Sequence, residues 1–263
     1  MPEGDTVWRT ARRLHAGLTG QVLVRAELRV LRHATAELAG RRVAEVVARG
    51  KHLLMRLEPD LTLHSQLGMD GSWRLLGAGA RWPSPNEPVR AVLSTSRQLA
   101  VGRHLVGVEI VPTSGEGEVV GHLGPDLLGP DWDAQLAVHR LAADSDRTIG
   151  EALLDQRNLA GVGNVYRAEI LFLRGLHPAT PIRAAGELDR TVDLARRLLW
   201  ANRDAAMRTT TGVQLRGQNL WVYDRAGRPC RRCGTTIRRG QLGPPGQERI
   251  TYWCPHCQPE PAA

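Results

Sequence analysis

Lysine is nearly missing from this chain: of 35 basic residues only Lys51 is a lysine, and the other 34 are arginines. A GC-rich genome would give such a bias with no functional cause. Arginine, however, does not release its proton at workable pH, so a site that needs a proton-shuttling amine cannot accept the replacement. Lys51 is therefore a candidate for chemistry, against the plain alternative that one lysine escaped the drift. Aromatics are also scarce, at 4 % with Phe172 the single phenylalanine. No apolar run approaches the roughly 18 residues of a membrane span. The N-terminus lacks the charged-then-apolar pattern of a signal peptide. These absences lead us to expect an intracellular, cytoplasmic protein with no membrane partner.

What is present is a chain of 263 residues, 42 % hydrophobic, long enough for one large or two modest domains with a proper core. The net charge of +8 and a pI near 10.3 point to a polyanionic partner, most simply nucleic acid. The opening Met1-Pro2-Glu3-Gly4-Asp5 carries a second chemical signal. With Met1 removed, Pro2 presents a secondary amine with a pKa of roughly 7.7–8. Such an amine can attack an electrophilic carbon and form an iminium ion, with Glu3 as the nearest proton donor or acceptor. The bland reading is a proline that follows methionine by chance. The catalytic reading predicts that the active chain starts at Pro2.

Along the chain, Val7, Ala11, Leu14 and Leu18 recur at helical spacing after Asp5, which is a plausible N-cap, and Gly17 and Gly20 bracket the end. Short β-type segments follow at 22–26, 43–49, 52–57, 61–65, 72–75, 89–93 and 106–111. Their brevity and Gly/Pro punctuation suggest an antiparallel sandwich or barrel. Lys51 falls in a tight turn between two of them. A Gly-, Pro- and acid-rich stretch at 115–130 marks a domain boundary. Beyond it the pattern is helical, at 133–143, 148–155, 162–173 and 187–207. Gly161-Val162-Gly163-Asn164 leads into the third of these helices. It reads either as a phosphate site at a helix N-terminus or as an ordinary helix–helix turn.

All four cysteines lie near the end, as Cys230-x-x-Cys233 and Cys254-x-x-Cys257. Two such knuckles supply the four thiolates of a closed structural zinc site. A cytosolic setting and the poor loop closed by a C-x2-C pair argue against disulfides. His256 sits between ligands and is read as a residue of the surface or one that supports the ligands, not as a fifth donor. Between the knuckles, Arg238, Arg239 and Arg249 are punctuated by glycines and prolines, which reads as a metal-clamped β-hairpin with a basic tip.

Taken together, Met1-Pro2-Glu3-Gly4, Arg49-Gly50-Lys51-His52-Leu53, residues 154–164 and the four-cysteine ribbon, with the Gly124-Pro125-Asp126 turn, resemble the formamidopyrimidine-DNA glycosylase/endonuclease VIII family. The resemblance runs from Met1 to about Gln258 and looks closer to the endonuclease VIII branch of actinobacterial type. It implies an α+β fold: an N-terminal antiparallel β-sandwich with a flanking helix (1–120), a helical helix–two-turn–helix domain (121–220) and a four-cysteine zinc-finger β-hairpin (221–263), with DNA in the cleft between the two main domains. The implied protein is a monomer that binds DNA containing oxidised bases or abasic sites. The implied activity excises an oxidised base, more so a pyrimidine, and nicks the strand by β- or β,δ-elimination.

Carried over by position, Pro2 attacks C1′ of the deoxyribose, Glu3 handles protons at the sugar ring, and Lys51 assists elimination and holds a phosphate. Arg249 completes that catalytic set and, with Asn164, binds phosphate. Met69 falls where the family has an apolar wedge that fills the hole left by a flipped nucleotide; the alternative is an ordinary core methionine. Cys230, Cys233, Cys254 and Cys257 are the implied zinc ligands.

The chain departs from the family pattern at three places. Asp5-Thr6 stand where Pro-Glu is common, His122-Leu123 stand before the Gly-Pro-Asp turn where others have arginine, and Ser96-Arg97-Gln98-Leu99 lacks the aromatic wedge of the formamidopyrimidine branch. The competing reading is a catalytically silent protein that binds damaged DNA through the ribbon. An RNA-binding or scaffold role leaves Pro2-Glu3 and Lys51 unexplained.

Overall fold

The computed structural model describes residues 2–261, and the chain divides into two compact units, Met1–His122 and Leu123–Ala263. In the first, helix α1 (Gly4–Leu18) is followed by β1 (Arg25–Leu28), β2 (Val43–Arg49), β3 (His52–Leu57), β4 (Leu61–Gln66), β5 (Ser72–Gly77), β6 (Val89–Ser94), β7 (Gln98–Arg103), β8 (Gly107–Val111) and the short α2 (Gly117–Val120). The strands form two four-stranded sheets, β2-β3-β4-β8 and β1-β6-β7-β5, antiparallel throughout. This is the expected sandwich.

Its core is continuous from one sheet to the other and on to α1. Val46, Leu53, Met55 and Leu63 of one sheet join Trp73, Ala91, Leu93 and Ala100 of the other, with Val7, Ala11, Leu14 and Leu18 from the helix. Burying Val7, Leu14 and Leu18 contributes about 1.5–3 kcal/mol each, which fixes α1 on β2 and β3. The Trp73 indole N–H donates to Ser65 Oγ at 3.1 Å, so the buried ring keeps its polar atom satisfied.

Three sequence expectations need correction in this unit. The cap of α1 is Glu3, with no side-chain cap bond, and Asp5 lies inside the first turn, where a carboxylate suits the helix dipole. The first strand is shifted to Arg25–Leu28, the stretch that pairs with β6. Strand β7 had no counterpart in the sequence reading. Its run Leu99-Ala100-Val101-Gly102 is buried throughout, so it shows none of the alternation that marks a half-exposed strand.

The second unit contains α3 (Ala134–Ala142), α4 (Ile149–Ala152), α5 (Asn164–Arg174), α6 (Leu188–Asn202) and the hairpin β9 (Arg238–Leu242)–β10 (Arg249–Trp253). Asp133 caps α3 by accepting Leu136 N–H, and Thr148 caps α4 by accepting Glu151 N–H. Helix α6 ends at Asn202, short of the expected Met207. There Asn202 turns back, donating to Leu198 O and Thr209 O and accepting Thr209 N–H. The ribbon shares one core with α5, in which Ala168 and Phe172 meet Val222, Cys230, Ile237, Tyr252 and Cys254.

Glu169, on the same helix and fully buried, organises the segment that leads into the ribbon. Its carboxylate accepts the backbone N–H groups of Trp221, Val222 and Tyr223 at 2.8–2.9 Å and the Thr210 hydroxyl. Burial pushes its pKa up, against the pull of these donors. Among the described residues no helix is long and apolar enough to cross a membrane.

Candidate active site and nucleic-acid interface

Pro2 is half-buried and Glu3 fully buried at the start of α1. The Glu3 carbonyl accepts Thr6 and Val7 N–H at 2.9 and 3.0 Å, so the backbone next to Pro2 is fixed by the helix it opens. Removal of Met1 concerns a residue outside those described. Helix α1 packs on β2 and β3, and the turn joining these strands carries Lys51. Gly50 makes that turn at φ 57°, a left-handed conformation that glycine adopts without a steric cost. One packed substructure therefore positions Pro2, Glu3 and Lys51.

Beside this turn lies a buried polar group that the sequence reading missed. His52 and His64 stack at 5.0 Å between ring centroids, with His52 Nδ1 2.9 Å from His64 Nε2. Gln66 Nε2 is 3.2 Å from His52 Nδ1. His122 meets His52 edge-on at 5.9 Å, and Glu109 Oε2 is 3.5 Å from His64 Nδ1. Burial, then the neighbouring His64, His122 and Lys51, lowers the His52 pKa to about 4. Burial also lowers His64, against the opposing pull of Glu109. Two histidines on paired strands, one opening β3 directly after the lone lysine and one inside β4, were the available signal.

Met69 is 60 % exposed, which excludes the core reading. It lines a recess of about 850 Å³ with Arg29, Arg90, His104 and Val106. In the stretch 96–99, which lacks the aromatic wedge, Leu99 is buried against Val89, Val92 and Val101 and presents nothing to a partner.

In the second unit, Asn164 opens α5, and its Nδ2 donates to Ile250 O at 2.8 Å. Arg167 Nη2 donates to the same carbonyl at 2.9 Å. Ile250 follows Arg249 on β10, so this shared carbonyl anchors to α5 the backbone residue next to Arg249. Arg249 also lines a recess of about 580 Å³ with Arg147, Asp155 and Arg157. The hydrogen bonds from Arg157 and Arg147 hold the Asp155 carboxyl well below the usual carboxylate range.

The four cysteines converge, with all Sγ atoms within 4.8 Å of one another. Cys233 and Cys254 are 3.4 Å apart, and Cys230 and Cys257 4.0 Å. A tetrahedral metal with bonds of about 2.3 Å places its sulfurs about 3.8 Å apart, so the cluster could hold a metal ion.

The same segments align with known proteins. Residues 1–106 match the formamidopyrimidine-DNA glycosylase N-terminal domain, and residues 123–199 match the H2TH domain of that glycosylase. A protein named probable endonuclease 8 2 from Streptomyces coelicolor is 54 % identical, covering 100 % of this chain and 95 % of its own. The DNA-(apurinic or apyrimidinic site) lyase of Mycolicibacterium smegmatis is 48 % identical over 98 % of this chain and 99 % of its own. Among solved structures, the Lactococcus lactis glycosylase in complex with DNA containing N7-benzyl-Fapy-dG superimposes with a TM-score of 0.81. It covers 98 % of this chain and 100 % of its own at 24 % identity, a likeness of fold. This chain thus matches both domains of the glycosylase in order and aligns with relatives about half identical end to end, and it belongs to the formamidopyrimidine-DNA glycosylase/endonuclease VIII family.

Proposed function

We propose that this protein is a bifunctional DNA glycosylase/AP lyase of base excision repair, acting in the cytoplasm on oxidised bases, pyrimidines above all. The observation that carries the reading is the placement of Pro2 and Glu3 at the buried start of a helix packed on the strands that present Lys51. Once Met1 is removed, the Pro2 amine attacks C1′ of the damaged nucleotide. The C1′–N bond to the base breaks as the new C1′–N bond forms, and the base leaves with a proton. Glu3 protonates the sugar ring oxygen as the ring opens to the iminium. Loss of a C2′ proton, assisted by Lys51, then expels the 3′ phosphate.

The base must leave the stack for this attack, at a cost of a few kcal/mol. Met69, exposed and unbranched, fills the hole it leaves. Asn164 and Arg249 hold phosphates of the same strand. The four cysteines bind zinc, whose closed thiolate shell supplies structure to the β9–β10 hairpin and no reacting position.

Borohydride should trap the processed protein on abasic-site DNA, and Pro2→Gly should abolish or strongly weaken trapping. Mass spectrometry of the N-terminus must accompany the assay. No adduct from a chain verified to start at Pro2 would overturn the proposal, and tight binding without cleavage would leave a catalytically silent damage binder.

A further inference from the structure

The buried chain of side chains beside Lys51 has no role in the steps above. His64 on β4 faces Glu109 on β8 in register and lies diagonal to His52 on β3, which itself pairs with Gln66. Both imidazoles are buried, at 7 % exposure for His52 and 4 % for His64, whereas the Glu109 side chain is 41 % exposed. The contacts therefore lead from the neighbourhood of Lys51 to solvent on the far side of two strands. A pair of histidines kept only for packing would have every ring nitrogen satisfied. Here His64 Nδ1 is buried without a hydrogen bond, and a carboxylate that can accept a proton, that of Glu109, lies 3.5 Å from it.

We propose that His52, His64 and Glu109 form a proton relay between Lys51 and solvent, a role that rests on Lys51 acting in the elimination as proposed above. In the conducting tautomer the Gln66 amide, 3.2 Å from His52 Nδ1, turns its oxygen to that N–H, His52 Nδ1–H donates to His64 Nε2, and His64 Nδ1–H points at Glu109. A proton given up by Lys51 Nζ enters at His52 Nε2. The Nδ1 proton of His52 passes to His64 Nε2, and the Nδ1 proton of His64 passes to Glu109 and on to water. One proton enters and one leaves, and Lys51 is returned to the neutral amine that can take the C2′ proton. The reverse shift restores both tautomers: a proton entering from Glu109 at His64 Nδ1 sends the Nε2 proton of His64 to His52 Nδ1 and the Nε2 proton of His52 back to Lys51, once Lys51 has given its own proton to the leaving group.

Both rings titrate low enough to be neutral near pH 7, which is the state such a transfer needs. The titratable or polar groups around His52 are Lys51, His64, Gln66 and His122, with Arg49 its register partner on β2. Those around His64 are His52 and Glu109.

The test uses the full-length, N-terminally processed protein on abasic-site duplex DNA under single-turnover conditions across pH. Borohydride trapping reports the Schiff base, and strand nicking reports elimination. Protonated His64 blocks the relay, so nicking should fall on the acid side of its pH profile. His64→Gln should lower the nicking rate about tenfold at neutral pH and remove that acid limb, a modest share of what general acid–base catalysis can supply. Glu109→Gln removes the charge that raises His64, so the acid limb should move to lower pH. Its position at the exposed end of the chain keeps the test available if His64→Gln fails to fold. A merely structural role would change amounts of folded protein and leave the limb in place. Trapping with wild-type nicking profiles in the variants that fold would overturn the relay. No trapping by the wild-type protein would overturn the Pro2 reading instead.

Discussion

Replacing His52 with glutamine should flatten the acid side of the stability curve of the first unit. The imidazole has an ordinary pKa near 6.5, which it keeps in the unfolded chain, and burial beside His64, His122 and Lys51 lowers it to about 4 in the fold. Above the higher value both states are neutral and the group contributes nothing. As pH falls below it, the unfolded chain takes up a proton that the folded protein refuses, so stability is lost until the folded value is reached. The gap between the two values converts to about 3 kcal/mol at full titration, of which about 2–2.5 kcal/mol is lost between pH 7 and pH 4.5. That amounts to roughly a 30- to 70-fold change in the opening equilibrium.

Hydrogen exchange of peptides spanning β3 and β4, corrected for intrinsic rates, reads this quantity directly. Carboxylates elsewhere and the cysteine ribbon also titrate, but they do so equally in both proteins. The difference between wild-type and His52→Gln slopes isolates the imidazole. Glutamine can still hydrogen-bond His64 and Gln66, so the variant should fold. Equal loss of protection in the two proteins between pH 7 and pH 4.5 would refute the argument.

Three other perturbations have expected outcomes. Cys254→Ser, or treatment with a strong chelator, should release one equivalent of zinc and remove exchange protection from β9 and β10, because structural zinc supplies roughly 10–16 kcal/mol in isolated fingers; retained protection would show that the ribbon folds without metal. Glu169→Gln should cost about 2–4 kcal/mol in denaturant titrations, since the new amide group turns a donor towards backbone N–H groups that need an acceptor; a loss below about 0.5 kcal/mol would contradict the role given to that carboxylate. Met69→Ala should leave the melting temperature nearly unchanged, given its exposure, while lowering excision from duplex DNA about tenfold and sparing abasic sites in single strands; an equal loss on both substrates would count against the wedge.

Where one residue type carried one role, the sequence was legible. β2 and β3 have the expected bounds because Gly50 and the alternation around it admit one register. The cysteine cluster followed from spacing, because a tetrahedral shell needs two knuckles and little else. What stayed hidden depended on long-range pairing. The stretch 96–99 lacked the family's aromatic wedge and showed no strand pattern, yet its last residue, Leu99, is an inward residue of β7, which pairs with β5 and β6. Glu169 sits in a helical pattern as any glutamate would, and only the fold brings the backbone of residues 221–223 to it. His52 and His64 are twelve residues apart in sequence, and nothing local says that their rings will stack.

The arginine excess also takes on a different meaning in the fold. Net charge suggested a surface dressed for a polyanion, but many of the guanidinium groups are turned onto the protein's own backbone and carboxylates. Arg29 donates to Glu27 and to the carbonyls of Pro83 and Ser84. Arg56 joins Glu45 to Glu116, Arg140 reaches Arg157 O, Arg167 reaches Ile250 O, and Arg225 spans Trp221 O and Pro229 O. These sites use the planar fork, which a lysine could not match with its single ammonium. Such arginines hold loops in place and contribute little local charge to a phosphate. A smaller set is left to face a polyanion, and the proposed function draws on Arg249, exposed at the start of β10. Lys51 is the reverse case: the proposed elimination needs an amine that can be neutral at this turn, and arginine cannot be.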